Sequence, residues 1–509
     1  MMRRLIVLIA LVAAALSGWW WLGKNQSSSG RSITVYCAAG LKKPVEDIAT
    51  QYLKELGVEV RLQYGPTGTL LNQIQVAKQG DLLIAADEGS LNDARKRDVI
   101  REVIPLVSQH PVIAVAKGNP KGVHAIADLL KPDVRLALPN PDAASIGRVT
   151  REVLKETWKQ LATKAAVMKP SVTEVAADLS LGAVDAAIIW DATVPQFKGI
   201  EAVEVAELTT RKENASAAVL SFCKQTVEAL KFARYMAASD KGGAVFTKHG
   251  FKAISGDKWA VKPELILYSG GVNRLAIEKL IQQFADREGA TISTVFNGCG
   301  ILCASMKTMG DSSNPKFPDA YYACDVCFVP PVAQYFPEAV ILTETDIVIA
   351  VPKGNPKNVK TLADLAQPGL RVGLSNAEQA TLGYMTRAML KSMNLYDSVM
   401  KNVVVQVPTS DFLINQMRAG GLDAAIVYRV NVQPQREHLE AITLPVDKAK
   451  AVQPFAVRGD SVNRQLSQRL LAYLKGHKES FEAAGFAWRG DEVAIKSDKI
   501  EVPQWLKSK

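Results

Sequence analysis

The chain is poor in histidine. It has five in 509 residues, His110, His124, His249, His438 and His477. None stands near a cysteine or in H-E-x-x-H spacing, which leaves a histidine-based metal site without support. No G-x-S-x-G elbow and no phosphate-binding P-loop spacing occurs, so two common catalytic frameworks are missing. Aromatic residues make up only 7%. No long Lys/Arg block interleaves with them, so the net charge of +10 does not point to a nucleic-acid partner. It suits an anionic ligand or a membrane surface. Asp87 and Asp325 close matching apolar runs and have the type of a catalytic acid, but N-capping or bonding between lobes is the plainer role for each. Neither an enzyme nor a cofactor is expected.

What is present describes a folded, exported molecule. Apolar residues at 48% and charged residues at 22% are ordinary for globular proteins, and the length predicts two to four domains. There is one long hydrophobic run. Met1-Met2-Arg3-Arg4 precedes apolar residues from Leu5 to Gly23, then Lys24 and a polar spacer. Charge followed by about one membrane thickness of apolar chain is an export signal. Ala15 and Ser17 allow cleavage, whereas Trp19, Trp20 and Trp21 suit the interfacial belt of an uncleaved anchor in the inner membrane, the form favoured here. Trp19 stands where a lipoprotein would need cysteine. Either way the remainder is expected in the periplasm or otherwise outside the cytoplasm, in an oxidising compartment.

Self-comparison reveals a tandem repeat. Lys117-Gly118-Asn119-Pro120 recurs as Lys353-Gly354-Asn355-Pro356, 236 residues on. The same offset carries Asn140, Gly147 and Thr150-Arg151 onto Asn376, Gly383 and Thr386-Arg387. Val184-Asp185-Ala186-Ala187-Ile188-Ile189-Trp190 matches Leu422-Asp423-Ala424-Ala425-Ile426-Val427-Tyr428, and Thr34-Val35-Tyr36-Cys37 matches Ile266-Leu267-Tyr268-Ser269. Three segments follow: 1–30, a signal peptide or anchor with its spacer; 31–258, unit 1; and 262–509, unit 2.

Each unit alternates strand and helix patterns. In unit 1, Val45, Ile48, Ala49, Tyr52, Leu53 and Leu56 share one helical face, while the DLLIAAD run from Asp81 reads as a buried strand. This rhythm predicts an α/β fold with open, mainly parallel sheets, whose ligands lie at the carboxyl ends of the strands. The junctions there are small and hydroxyl-bearing: Cys37 to Gly40, Gly65 to Thr69 with Thr67 and Thr69, Asn140 to Gly147 with Ser145, and Trp190. Backbone N–H groups at helix starts, helped by hydroxyls, hold an anion without a cationic side chain. Such loops also serve simply as turns and N-caps.

The opening ITVYCAAGLKKPVEDIA from Ile33, Gly65-Pro66-Thr67-Gly68 with Gln73-Ile74, Asp81 to Asp87, Asp185 to Trp190, and the closing Ala229 to Phe251 resemble periplasmic molybdate-binding proteins of ABC transporters. The resemblance implies two periplasmic-binding-protein-like units, each of two α/β lobes joined by a hinge over a cleft. It implies capture of a small oxoanion, molybdate or tungstate in type, for an ABC permease, with no covalent chemistry. The family's ligand serines correspond to Gly40 and Thr67 in unit 1 and to Val272 and Cys299 in unit 2. Ser269 is close enough to substitute. The family's tyrosine corresponds to Trp190 and Tyr428. Neither unit keeps the full set, and unit 1, with neither the first serine nor the tyrosine, is the one expected to act as a docking or structural partner if one cleft has lost its ligand.

Four cysteines, Cys299, Cys303, Cys324 and Cys327, fall in unit 2 as C-x3-C-x20-C-x2-C. Aligned with unit 1, Cys299 takes the place of Thr67 and Cys324 that of Ala86. Disulfides, a soft metal held by the thiolates, and unpaired buried thiols all remain open. The metal reading supplies an alternative function, a thiol-based metal-binding or sensor protein.

Overall fold

The computed structural model describes residues 31–445 and 449–500. The N-terminal apolar segment lies outside the described residues. Among those described, no helix is long and apolar enough to cross a membrane. The chain separates into two compact units between Trp259 and Ala260.

In unit 1 the first lobe holds a six-stranded sheet, in the order Lys252–Ala253, Ile100–Gln109, Glu213–Leu220, Leu82–Ala85, Ser32–Ala38, Glu59–Gly65. Parallel pairing joins only the last three of these. Glu213–Leu220 is antiparallel to both of its neighbours. The second lobe has five strands, Val167–Lys169, Leu136–Pro139, Ala186–Trp190, Pro111–Ala116 and Ile200–Val203, again part parallel and part antiparallel. The sheets are therefore mixed, not mainly parallel as expected. The cause is the connectivity. The chain crosses between lobes at His110 and returns before Glu213, and a strand entering a sheet from the other lobe need not follow a right-handed β-α-β path.

Unit 2 repeats this plan with one difference. Its crossing strand, Glu338–Pro352, is continuous, pairing with Lys450–Val457 in one lobe and Ala424–Tyr428 in the other. In unit 1 the equivalent path breaks at His110, where Pro111 follows and brings no ladder donor.

Helix Lys42–Leu56 shows why the local sequence folds as it does. Val45, Ile48, Ala49 and Tyr52 are buried at helical spacing against the sheet, and Gly57 ends the helix at φ 68°, a left-handed position that glycine adopts without strain. Leu53, expected on that face, is 48% exposed because it sits on the flank of the stripe. In unit 2, Arg274–Glu288 ends the same way at Gly289, φ 62°.

Two glycines matter for the clefts. Gly147 and Gly383 each lie in the first turn of a helix, pressed onto the backbone at the end of the preceding strand, where any Cβ would collide. That close approach sets the starts of helices Ser145–Lys164 and Thr381–Ser392 at the cleft edge.

Candidate functional site

In each unit the two lobes face one another through strand ends and helix starts. In unit 1, helix Thr67–Ala77 of the first lobe faces Ser145–Lys164 and Val172–Ser180 of the second. Between them is a cavity of about 20 Å³ whose polar lining is Thr67, Gln109, Ser145 and Ser171, with Trp190 beside them. Unit 2 has the equivalent cavity, about 10 Å³, lined by Cys324, Ser375, Thr381, Thr409, Ser410 and Tyr428 among others. Neither lining contains a charged side chain. Volumes this small hold about one water molecule, so a larger ligand enters only when the lobes part. A wider opening of about 470 Å³ adjoins the unit 1 cavity, with Lys42, Lys43, Tyr64 and Phe197 on its walls.

The two clefts differ in how their polar groups are satisfied. In unit 1 the Thr67 hydroxyl accepts the Ala86 N–H at 3.4 Å, Gln109 donates to the Ala86 carbonyl at 2.8 Å, and the Ser90 and Ser145 hydroxyls pair at 3.4 Å. Ser171 caps its helix by accepting the Glu174 N–H and donates to the Glu174 carboxylate. In unit 2 the hydroxyls of Ser375 and Tyr428 are buried, line the cavity and have no hydrogen-bond partner. The Thr381 hydroxyl likewise meets no nitrogen or oxygen; it turns toward the sulfurs of Cys299 and Cys324. Burial, with nearby thiols and Asp325, pushes the Tyr428 phenol well up, so it stays protonated and able to donate.

Among the described residues, an ion pair spans the lobes in unit 1 and none does in unit 2. Asp87 caps helix Glu88–Lys96 through the Ser90 N–H and pairs with Arg148 on the opposite lobe. Arg148 continues to Glu152, Glu152 to Arg211, and Arg211 to Glu213. The Gly68 N–H adds a backbone bond across the cleft to the Ala143 carbonyl at 3.1 Å. In unit 2, Tyr384 and Ala388 replace Arg148 and Glu152, and the Tyr384 ring meets Phe328 edge-on. Asp325 instead accepts the Cys327 and Val452 N–H groups, and burial raises its carboxyl above the usual range. Asp87 thus caps a helix and bridges the lobes, whereas Asp325 caps its turn and bonds a strand of its own lobe.

Four of the expected site residues, Thr67, Ser145, Trp190 and Tyr428, line the cavities. Cys37 is buried behind the strand end, its thiol toward the Ala38 carbonyl. Thr69 is exposed, one step past the cavity. Ser269 is buried, turned toward the Gly270 carbonyl and contacted by Asn273. Cys299 is fully buried behind Cys324. Gln109, Ser171, Ser375, Thr381, Thr409 and Ser410 were not anticipated. Thr381 was within reach, because the 236-residue offset carries Ser145 onto it.

The four clustered cysteines do not form a metal site. Cys299 and Cys324 have sulfurs 2.8 Å apart, but Cys303 is engaged by the Tyr321 hydroxyl and the Phe328 carbonyl. Among the described residues no group of three or more His, Cys, Asp or Glu could hold a metal ion. Cys299 and Cys303 lie one turn apart on helix Cys299–Met309, yet Cys299 meets Cys324 while Cys303 turns to Tyr321 and Phe328. The metal-sensor alternative therefore loses its donor set.

A sequence model of the bacterial extracellular solute-binding proteins matches residues 33–252 and again 265–487. The chain belongs to that family. The tandem solute-binding protein shares 27% identity over 227 residues with a Haemophilus influenzae protein named as a binding protein, covering 44% of this chain and 92% of that one. It shares 32% over 143 residues with the molybdate-binding protein of Escherichia coli, 26% of this chain and 56% of that one. With the sulfate-binding protein of Synechococcus elongatus it shares 29% over 145 residues, 25% of this chain and 41% of that one. The matched segments thus span about half the length of these last two relatives. Among solved structures, the Azotobacter vinelandii periplasmic molybdate-binding protein aligns with a TM-score of 0.38 at 18% identity, over 43% of this chain and 98% of that one. The relatives are named as binding proteins, and the family is one of extracellular solute-binding proteins.

Proposed function

We propose that the tandem solute-binding protein captures a small tetrahedral oxoanion, of the molybdate or sulfate kind, and presents it to an ABC permease in the membrane. Unit 2 holds the ligand. The observation that carries this reading is the set of buried hydroxyls on Ser375, Thr381 and Tyr428, which face one cavity without an oxygen or nitrogen partner. Leaving a buried hydroxyl unsatisfied costs about 1–3 kcal/mol, so a cavity gathering three of them has a ligand to satisfy. Neutral donors and helix starts suit an oxoanion whose charge is spread over several oxygens. Relatives named for molybdate and for sulfate support the same ligand class.

Unit 1 is proposed as the unit held closed by its own side chains. Its cavity hydroxyls already have protein partners, and Asp87 with Arg148 supplies the bond between lobes that a ligand would otherwise make. Its role is then to dock or support. Residues 1–30 are proposed to export the chain and, if uncleaved, to tether it.

Calorimetric titration of the protein with molybdate, tungstate, sulfate and phosphate tests the reading. Binding of at least one, with one ligand per chain, is expected. Absence of heat and of any thermal shift with all four would overturn the oxoanion assignment.

A further inference from the structure

The cleft edge of unit 2 contains a close pair of buried thiols. Cys299 is the first residue of helix Cys299–Met309, and Cys324 follows strand Ala320–Tyr322. Besides the 2.8 Å separation of their sulfurs, the Cys299 sulfur accepts the Cys324 backbone N–H at 3.0 Å. Gly270 on the adjacent strand leaves the space that the Cys324 sulfur occupies; a Cβ there would collide with it. Reaching the ~2.05 Å of a disulfide takes a movement of roughly 0.8 Å. The other two thiols of the cluster are directed elsewhere, Cys303 toward Tyr321 and Phe328, and Cys327 beside Asp325.

We propose that Cys299 and Cys324 form a reversible disulfide, and that passage between dithiol and disulfide sets how tightly the unit 2 cleft holds its anion. The consequence for the ligand rests on the oxoanion reading; the pairing does not.

The oxidant is an external disulfide, of the kind carried by an extracytoplasmic thiol oxidoreductase or by oxidised glutathione. The Cys299 thiolate attacks one sulfur of that disulfide, forming a mixed disulfide and expelling one external thiolate. Cys324 then gives up its proton and attacks the Cys299 sulfur, and the second external sulfur leaves as thiolate. In sum, two protein thiols and one external disulfide become one protein disulfide and two external thiols. Cys299 is suited to the first attack. Burial pushes its thiol up, but hydrogen bonds from Cys324 and Tyr321 outweigh burial and leave it below its ordinary value. Its place at a helix start acts in the same direction. Cys324, bonded to Cys299 and buried, stays protonated. Cys299 is fully buried and Cys324 is 5% exposed, so exchange requires the lobes to part, and closure protects whichever form is present.

The two forms present different walls to the ligand. In the dithiol form the paired sulfurs draw the Thr381 hydroxyl from the opposite lobe. The disulfide carries no charge and no proton, which frees Thr381 to donate into the cavity. Oxidation is therefore expected to tighten oxoanion binding.

The test uses the full chain, oxidised with diamide or reduced with dithiothreitol, with free thiols blocked before peptide mapping by mass spectrometry. Each form is then titrated with molybdate and with sulfate. The expected result is a Cys299–Cys324 cross-link in the oxidised protein, present also in Cys303→Ser and absent from Cys324→Ser, with affinity about tenfold higher in the oxidised form. Oxidised protein in which Cys299 and Cys324 are both alkylated, or linked to other cysteines, overturns the pairing. Equal affinity in the two forms overturns the control of the cleft. A cross-link with no binding in either form supports the pairing and overturns the oxoanion reading.

Discussion

Ser375 and Tyr428 each bury a hydroxyl that the protein does not satisfy. Removing such a group relieves a desolvation cost, whereas removing a bonded one adds a cost. Ser375→Ala and Tyr428→Phe are therefore expected to leave unfolding free energy within about 0.5 kcal/mol of the parent or to raise it, while weakening the oxoanion about tenfold each. Urea unfolding and calorimetry together check this, since a purely structural role would move stability instead. A second residue-scale prediction concerns Asp423. Its carboxyl is held below the usual range chiefly by the hydrogen bond from Arg371, which grips it through two guanidinium nitrogens and donates its backbone N–H as well. A lowered folded-state value means stability that is present above the unfolded value and lost as pH falls through the folded one. Arg371 is about half exposed and screened by solvent, so Asp423→Asn is expected to cost only about 1 kcal/mol at pH 7. That deficit should shrink below about pH 4 in urea titrations. Asp185 with Arg135 repeats the arrangement in unit 1. The aspartates were visible in the repeat, but their partners were not, because Arg371 and Asp423 lie 52 positions apart and meet only when two strands pair.

Among the elements, helix starts decide the cleft. Helices Ser145–Lys164 and Thr381–Ser392 owe their place to Gly147 and Gly383, which press the first turn onto the strand end. The repeat made both glycines legible as a matched pair, though the reason, a backbone approach without room for Cβ, exists only in the folded chain. The ion pair of helix 145–164 was not legible at all. Arg148 and Asp87 sit on different lobes, and nothing local in the sequence marks them as partners. Removing Arg148 leaves a fully buried carboxylate without its cation. Arg148→Ala is therefore expected to lower the stability of unit 1 by about 3 kcal/mol, and Tyr384→Ala in unit 2 should produce no comparable electrostatic loss. Salt distinguishes them: only the unit 1 variant should change its dependence on ionic strength. Strand Glu338–Pro352 against its broken counterpart in unit 1 is a third element-scale contrast, and here the proline was in plain view.

For the whole molecule, the repeat predicts two units that each bury a core of their own. Segments 31–258 and 262–509, expressed separately, are expected to unfold cooperatively, and an oxoanion-induced rise in Tm should accompany only 262–509. A shift confined to 31–258 would reverse the assignment of the clefts. The division into repeated α/β units and membership of the solute-binding family followed from the sequence alone, because repeat offsets and strand-end motifs are properties of linear order. The mixed direction of the sheets, the ion pair across the first cleft, and the gathering of Ser375, Thr381, Tyr428 and two thiols around the second came only with tertiary structure. Each depends on elements separated in the chain and brought together by folding, and only the ion pair and the approach of Thr381 to the thiols also need the lobes to meet. The spacing of Cys299 and Cys324 shows the difference well. In linear order it resembles a metal motif, and in space it becomes two sulfurs 2.8 Å apart, with the other two thiols turned to different neighbours.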